Sequence, residues 1–366
     1  MRVFSSARVP NSCLPPGLVA PDFGGPILEP WTKCDILIDG DRIVGVNNPH
    51  GKVGLFAPAN TPTTDLGDQL VWPGLVDVHT HLDKTFTWDR APNPRGEFWD
   101  AIKVLNEDSR KNWTAEDIYR RADFALRTAW AHGTVALRTH LDSGPDVGSE
   151  AHAVMAQLRE EWRGRIELQI VSMGGVRATD APSNRGSLDL ARQYRAAALG
   201  GFPQPGPDLE AQLDRLLSDA ADLSIGIDLH VDESGLAEAE CLRATAEAVI
   251  RNDFKYPVAC GHNCSLSIHS DDRAADTIAL VKEAGIHLIA LPLCNLYLQG
   301  RKRNEAGQPL TPQWRGLTRI HELIEAGVPV SCGSDNVRDA FFAWGDYDLW
   351  EVFQASVRIG HLDTRL

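Results

Sequence analysis

Six residues carry side chains able to do chemistry, at places in the chain that could bring them together: His79, His81, His230, Glu233, His262 and Asp335. His79 and His81 close the run Leu-Val-Trp-Pro-Gly-Leu-Val-Asp-Val-His-Thr-His. Its apolar, β-branched part, Leu70 to Val78, reads as a buried strand. Residues two apart along a strand point to one side, so both imidazoles project together from its C-terminal end. Two histidines on one face of a rigid strand make half a site for a divalent metal. His230, His262 and Asp335 stand at the ends of further apolar segments, and Glu233 lies three residues past His230. An imidazole or carboxylate buried there is costly unless it is paired or bound to a metal. A metal would lower the pKa of a bound water from about 15.7 toward about 7, giving hydroxide at neutral pH.

The elements that must position these residues repeat along the chain. After the first strand come apolar segments at Gly133–His140, Arg165–Met173, Arg195–Gly201, Leu223–His230, Tyr256–Gly261, His287–Leu293 and Val328–Gly333. Helical patterns lie between them. One opens at Thr114-Ala-Glu-Asp, a capping-box signature, and runs to Trp130. Others cover Ser149–Trp162, Asp208–Ala221, Ala237–Arg251, Asp271–Ala284 and Gly316–Ala326, with Gly285 and Gly327 at helix stops. Strands alternating with helices predict a parallel α/β architecture. Eight repeats favour a closed (β/α)8 TIM barrel, whose chemistry sits at the strands' C-terminal ends. No Gly-x-Gly-x-x-Gly follows the first strand, which argues against a dinucleotide site. His140, also at a strand end, reads as a residue behind the site or a substrate contact.

The constellation resembles the amidohydrolase superfamily, and within it the cytosine-deaminase-like branch, with similarity also to N-isopropylammelide amidohydrolase. The resemblance rests on Pro73-Gly-Leu-Val-Asp-Val-His-Thr-His-Leu-Asp-Lys84, Arg138-Thr-His-Leu-Asp142, His230-Val-Asp-Glu233, Gly261-His-Asn263, Leu293 to Arg301, Arg315-Gly-Leu-Thr-Arg-Ile320 and Gly333-Ser-Asp-Asn336 with the residues after it. It implies that His79, His81, His230 and Asp335 hold one divalent ion, Zn2+ or Fe2+. It implies that Glu233 shuttles protons to a ring nitrogen and that His262 orients or polarises the attacking water or the substrate. Asp335 would take the proton from that water. The expected reaction is hydrolytic deamination of an aminated N-heterocycle (a cytosine, isoguanine, pterin or ammelide-like ring), with release of ammonia. The alternatives are a relative that expels an alkylamine or opens a cyclic amide, and a catalytically idle member.

Departures from the branch bear on the substrate. Where the cytosine enzyme carries a Gln that reads the pyrimidine edge, this chain has Gly175. Its Asp-Asp becomes Asp335-Asn336, and Lys84 stands in place of a Thr. A lysine there is similar to relatives acting on oxo-rich rings, where an ammonium pairs with a carbonyl or ring anion. Lys84, His140, Gly175, Gln299 and Asn336 are therefore the expected substrate contacts. Binuclear members bridge two ions with a Lys or Glu on the fourth strand. Here that segment, Arg195-Ala-Ala-Ala-Leu-Gly-Gly-Phe-Pro203, ends in neither, so one ion per chain is expected.

A chain of 366 residues suits a barrel at 68–366 and a small β-rich accessory domain at 1–67. In the accessory segment, Cys34 to Val46 reads as two strands joined by a Gly-Asp turn. Family members complete a β-sandwich there with returning C-terminal strands. Only 31 residues follow Asp335, so a final helix and those strands are expected to be missing or rebuilt. A net charge of −14 disfavours nucleic acid. No stretch of about 18 apolar residues predicts a membrane span, and no signal sequence is evident at the N-terminus. Seven cysteines without framework spacing suggest a reducing cytoplasm. The expected partner is a small heterocyclic substrate. Helices outside a barrel would allow a homo-oligomer, with no specific interface marked.

Overall fold

The protein is described by a computed structural model covering residues 1–15, 18, 31–48, 51–144, 147–174 and 182–364. Contacts gather the chain into two compact units, Met1–Gly74 and Leu75–Arg365.

The first unit is a five-stranded sheet in the order 51–54, 42–48, 31–39, 2–10, 63–65. All pairings are antiparallel except that of the last two strands. Trp31–Asp39 and Arg42–Asn48 form a hairpin, with Asp39 opposite Arg42 and Gly40 at φ 61° in the two-residue connection. The left-handed φ is what glycine supplies cheaply. Alternate residues Cys34 and Ile36 turn to one face and pack with Ala7 and Val9 into a small core.

The second unit is an α/β barrel. Its strands are β1 (Leu75–Thr80), β2 (Thr134–Asp142), β3 (Glu167–Met173), β4 (Ala198–Gly201), β5 (Gly226–Val231), β6 (Val258–His262), β7 (His287–Ala290) and β8 (Val330–Cys332). They lie in chain order in one sheet, and every pairing is parallel. A bridge between Thr80 and Asp335, just beyond β8, closes the sheet onto β1. The helices are α1 (Phe98–Asn112), α2 (Ala115–Ala131), α3 (Gly148–Glu161), α4 (Pro182–Tyr194), α5 (Leu209–Leu223), α6 (Cys241–Arg251), α7 (Asp271–Glu283), α8 (Pro292–Leu298), α9 (Ile320–Ala326) and α10 (Leu349–Gly360).

Local chemistry sets these boundaries. The Thr114 side chain caps α2, accepting from the Asp117 N–H at 3.2 Å. In α2 the buried residues Ile118, Ala122, Ala125, Leu126 and Ala129 form one stripe of helical period, which faces the strands. β5 is buried along its whole length, as a parallel strand covered on both faces must be. The first strand starts at Leu75, not Leu70, because Pro73 has no N–H to give a ladder. Leu70 bridges Arg8 within the first unit instead. The seventh strand ends at Ala290 because Pro292 opens α8.

A helix closes the described part of the barrel unit. α10 follows β8, with the Asp348 side chain accepting from the Trp350 N–H at 2.9 Å. Among the described residues no strand follows β8, and no helix is long and apolar enough to cross a membrane.

Candidate active site

β1 carries Asp77 and His79, and His81 directly follows it, at intervals of two, so all three face one side. All three are buried. His79 Nε2 lies 3.2 Å from His230 Nε2 at the end of β5, and His230 Nε2 lies 3.1 Å from His81 Nε2. Asp335 Oδ1 stands 3.3 Å from His81 Nε2 and 3.6 Å from His79 Nε2. Three imidazole nitrogens and a carboxylate oxygen thus surround one point.

The donor set fits a cation. Four donors held tetrahedrally about 2.0–2.1 Å from an ion lie about 3.3–3.4 Å apart, close to the spacings here. Both Asp335 oxygens are buried with no hydrogen-bond donor, a costly state that a cation would relieve. The imidazoles are in the form that metal binding requires. Burial first, then neighbouring imidazoles and, for His81, the Lys84 ammonium, hold the three histidines well below their usual range.

Backbone shape brings these groups in. His262 and Asp335 sit at φ 69° and 63°, and Asn263 and Asp232 at 54° and 48°. This left-handed region costs a side chain about 1–3 kcal/mol and persists where surrounding structure demands it. Asn, Asp and His bear it better than most residues. Two glycines leave room for the His79 ring. A Cβ on Gly261 would stand 3.1 Å from His79 Cε1, and one on Gly333 would stand 3.2 Å from its Cβ. Asp77 ties the seam from the same strand, accepting from the N–H and hydroxyl of Ser334 at 3.1 and 2.5 Å.

Glu233 Oε2 approaches His262 Nε2 at 3.5 Å. Burial, and then the Asp335 charge, push the Glu233 carboxyl well above its usual range. Burial pushes His262 down to about 4. A carboxyl whose protonated form burial favours, beside an imidazole whose neutral form burial favours and next to a buried metal-type cluster, can donate and receive protons around a water. Glu233 adjoins a cavity of about 580 Å³ whose lining also includes His230, Gln299, Phe98, Phe202 and Trp314. That volume and mixed lining suit a small organic ligand.

The other expected contacts fall in different places. Gln299 lines the cavity and donates to the Glu233 carbonyl at 3.4 Å. Lys84 is buried, its ammonium 2.9 Å from Asp142. Burial opposes its charge, but Asp142 and Asp83 carry its pKa above the usual lysine range. Asn336 is buried and donates to Asp339 at 2.7 Å. His140 is buried beside Asp228, with Nε2 to Oδ1 at 3.2 Å, and its ring lies 3.9 Å from the His79 ring. Gly175 lies outside the described residues.

Two buried partners were not singled out from sequence. Asp228 stands two residues before His230 on the same strand face and also binds Arg138 at 2.8 Å, so strand periodicity could have flagged it. Asn295, whose Nδ2 lies 3.0 Å from His262 Nδ1, sits on α8 beyond a segment that reads as strand.

Residues 177–358 match the amidohydrolase family, a span that holds His230, Glu233, His262 and Asp335 but not the β1 histidines. The chain is 42% identical over 364 residues to a pterin deaminase of Rhizobium rhizogenes (strain K84), covering 100% of this chain and 80% of the relative. It is 26% identical over 332 residues to an N-isopropylammelide isopropyl amidohydrolase of Pseudomonas sp. (strain ADP), covering 86% and 73%. The fold is similar to the crystal structure of 5-methylcytosine deaminase from Klebsiella pneumoniae, with a TM-score of 0.80 and 22% identity, covering 98% of this chain and 81% of that one.

Proposed function

The chain belongs to the amidohydrolase family and is a hydrolase acting on carbon–nitrogen bonds, and from that premise we propose that it deaminates an aminated N-heterocycle, with pterins the first class to test. The observation that carries the chemistry is the pair Glu233 and His262, 3.5 Å apart beside the buried His79, His81, His230 and Asp335 cluster. The pterin deaminase relative supports the choice of ring. Gly175 and the cavity volume are in keeping with a ring larger than a pyrimidine.

His79, His81, His230 and Asp335 would hold one divalent ion, zinc or iron. When bound, the ion supplies a Lewis acid that makes a water acidic near neutral pH. The chain's own groups do the rest. Asp335 accepts the proton of the water that adds to the amino-bearing ring carbon. Glu233, whose protonated form burial favours, gives its proton to the adjacent ring nitrogen. His262 hydrogen-bonds the developing oxygen. Asp335 passes its proton to the amino group, which leaves as ammonia as the tetrahedral carbon collapses, and the new hydroxyl returns its proton to Glu233 to leave a ring carbonyl. Lys84 and Gln299 orient the ring's polar edge, with His140 behind the metal cluster. All seven cysteines are free thiols, in keeping with a cytoplasmic location.

The test is ammonia release by the metal-loaded protein across pterins, cytosine, isoguanine and ammelide-type triazines. Pterin turnover that disappears in Asp335→Asn is the expected result. Release of an alkylamine without ammonia, or no reaction with any of these rings, would overturn this reading.

A further inference from the structure

We propose that Asn295 is a positioning residue that holds His262 in its Nε2–H tautomer, so that the ring presents a hydrogen-bond donor beside Glu233. Asn295 is fully buried at the middle of α8, which opens at Pro292. Its backbone is committed to the helix, the N–H donating to the Leu291 carbonyl at 3.0 Å and the carbonyl accepting from Gln299 at 2.8 Å. That leaves the side-chain amide for His262, with Nδ2 3.0 Å from Nδ1. An amide nitrogen can only donate, so the imidazole nitrogen facing it must accept, and the ring hydrogen then resides on Nε2. Nε2 is itself buried with no hydrogen-bond partner, and it faces Glu233 Oε2 at 3.5 Å. A donor without a partner in a reaction site awaits an acceptor, and an oxygen gaining charge on the ring carbon is one.

The catalytic consequence rests on the deaminase reading, but the tautomer is a property of the resting protein. It can be read by 15N NMR of the zinc-loaded protein without substrate, with the His262 signals assigned by their loss in His262→Gln. The expected spectrum has a protonated Nε2 and an accepting Nδ1. Asn295→Asp then separates tautomer control from packing. A carboxylate draws the ring hydrogen to Nδ1 and leaves Nε2 bare, and the wrong tautomer of a working imidazole can cost up to about 10⁴ in rate. Asn295→Asp should lower kcat by about 100-fold or more, with KM and metal content little changed, while Asn295→Ala costs about 10-fold. A role in packing alone reverses that order, since Asp fills the Asn space and Ala does not. A wild-type His262 protonated on Nδ1, or an Asn295→Asp variant no slower than Asn295→Ala, would overturn the proposal. Should no ring prove to be deaminated, or should a variant fail to fold, the wild-type spectrum still decides it.

Discussion

The main-chain N–H of Asp335 donates to the carbonyl of His79 across 2.9 Å. This bond belongs to the bridge that closes β8 onto β1, so the barrel's seam and its candidate metal donors are the same residues. Ser334 reinforces the seam by donating to Asp77, two positions before His79. A barrel that opened there would pull Asp335 away from His79 and His81 together. Closure of the fold and assembly of the donor set are therefore one event.

Asp335→Asn separates the two roles. The backbone bond survives, and Asn tolerates the φ of 63° at this position. The anionic oxygen facing His81 and His79 is lost. The fold should persist by circular dichroism, with metal affinity down by at least about 100-fold and turnover abolished. An Asp335→Asn protein that binds metal as tightly as wild type would remove Asp335 from the donor set.

Asp228 should be a stability residue. It is fully buried, and although burial opposes its charge, His140 and Arg138 hold its pKa below the usual carboxylate range. Removing one partner of a buried ion pair costs about 3–5 kcal/mol. The Arg138 side chain is 29% exposed, which places Asp228→Ala near the lower end, about 3 kcal/mol. Adding Arg138→Met should restore part of the loss. Urea unfolding measures both, and a loss under about 0.5 kcal/mol for Asp228→Ala would contradict the assignment.

A pH dependence follows from Asp339. It accepts from Asn336, Phe341 and Phe342 in a fully buried turn, and burial pushes its pKa up to about 7. A carboxyl raised in the fold binds its proton more tightly than the unfolded chain does. Its contribution is therefore complete below about pH 4 and is lost as pH rises through about 7. Asp339→Asn keeps an acceptor for the two backbone N–H groups, and the Asn336 amide can turn to match it. Relative to wild type, this variant should gain on the order of 3 kcal/mol between pH 4.5 and 7.5. Equal melting-temperature profiles for the two proteins would refute it.

Much of this was legible in the chain because a parallel barrel converts strand order into spatial convergence. His79, His81, His230, His262 and Asp335 are up to 256 residues apart, yet each lies at the end of a strand or within three residues past one. The hydrophobic runs therefore located them without any contact being known. What stayed hidden depends on pairings across that distance. The space that Gly261 and Gly333 leave for the His79 ring, and the Ser334–Asp77 tie, have no local signature. α8 was hidden for another reason: an apolar run from His287 to Leu293 reads as one strand until Pro292 is seen to open a helix. Asn295 was lost with it. α10 is strongly apolar on one face, but the short distance left after Asp335 argued against another helix there.

The metal count is the remaining expectation that a single measurement can reverse. A second ion would need a bridging donor beside the first. β4, Ala198–Gly201, offers none, since its side chains are methyl, isobutyl or absent. Its Gly200 is also enclosed, and a Cβ there would meet Val171 Cγ1 at 2.8 Å, so a longer donor has no room. Of the other imidazoles in reach, His262 faces Asn295 through Nδ1 and Glu233 through Nε2, and His140 faces Asp228 through Nε2. Elemental analysis of the purified protein should therefore find one zinc or iron per chain. Chelation should abolish activity and lower the melting temperature, because Asp335 then keeps a buried charge without its cation. One equivalent of either ion should restore both. Two tightly held ions per chain, each needed for turnover, would show that a donor other than β4 bridges them.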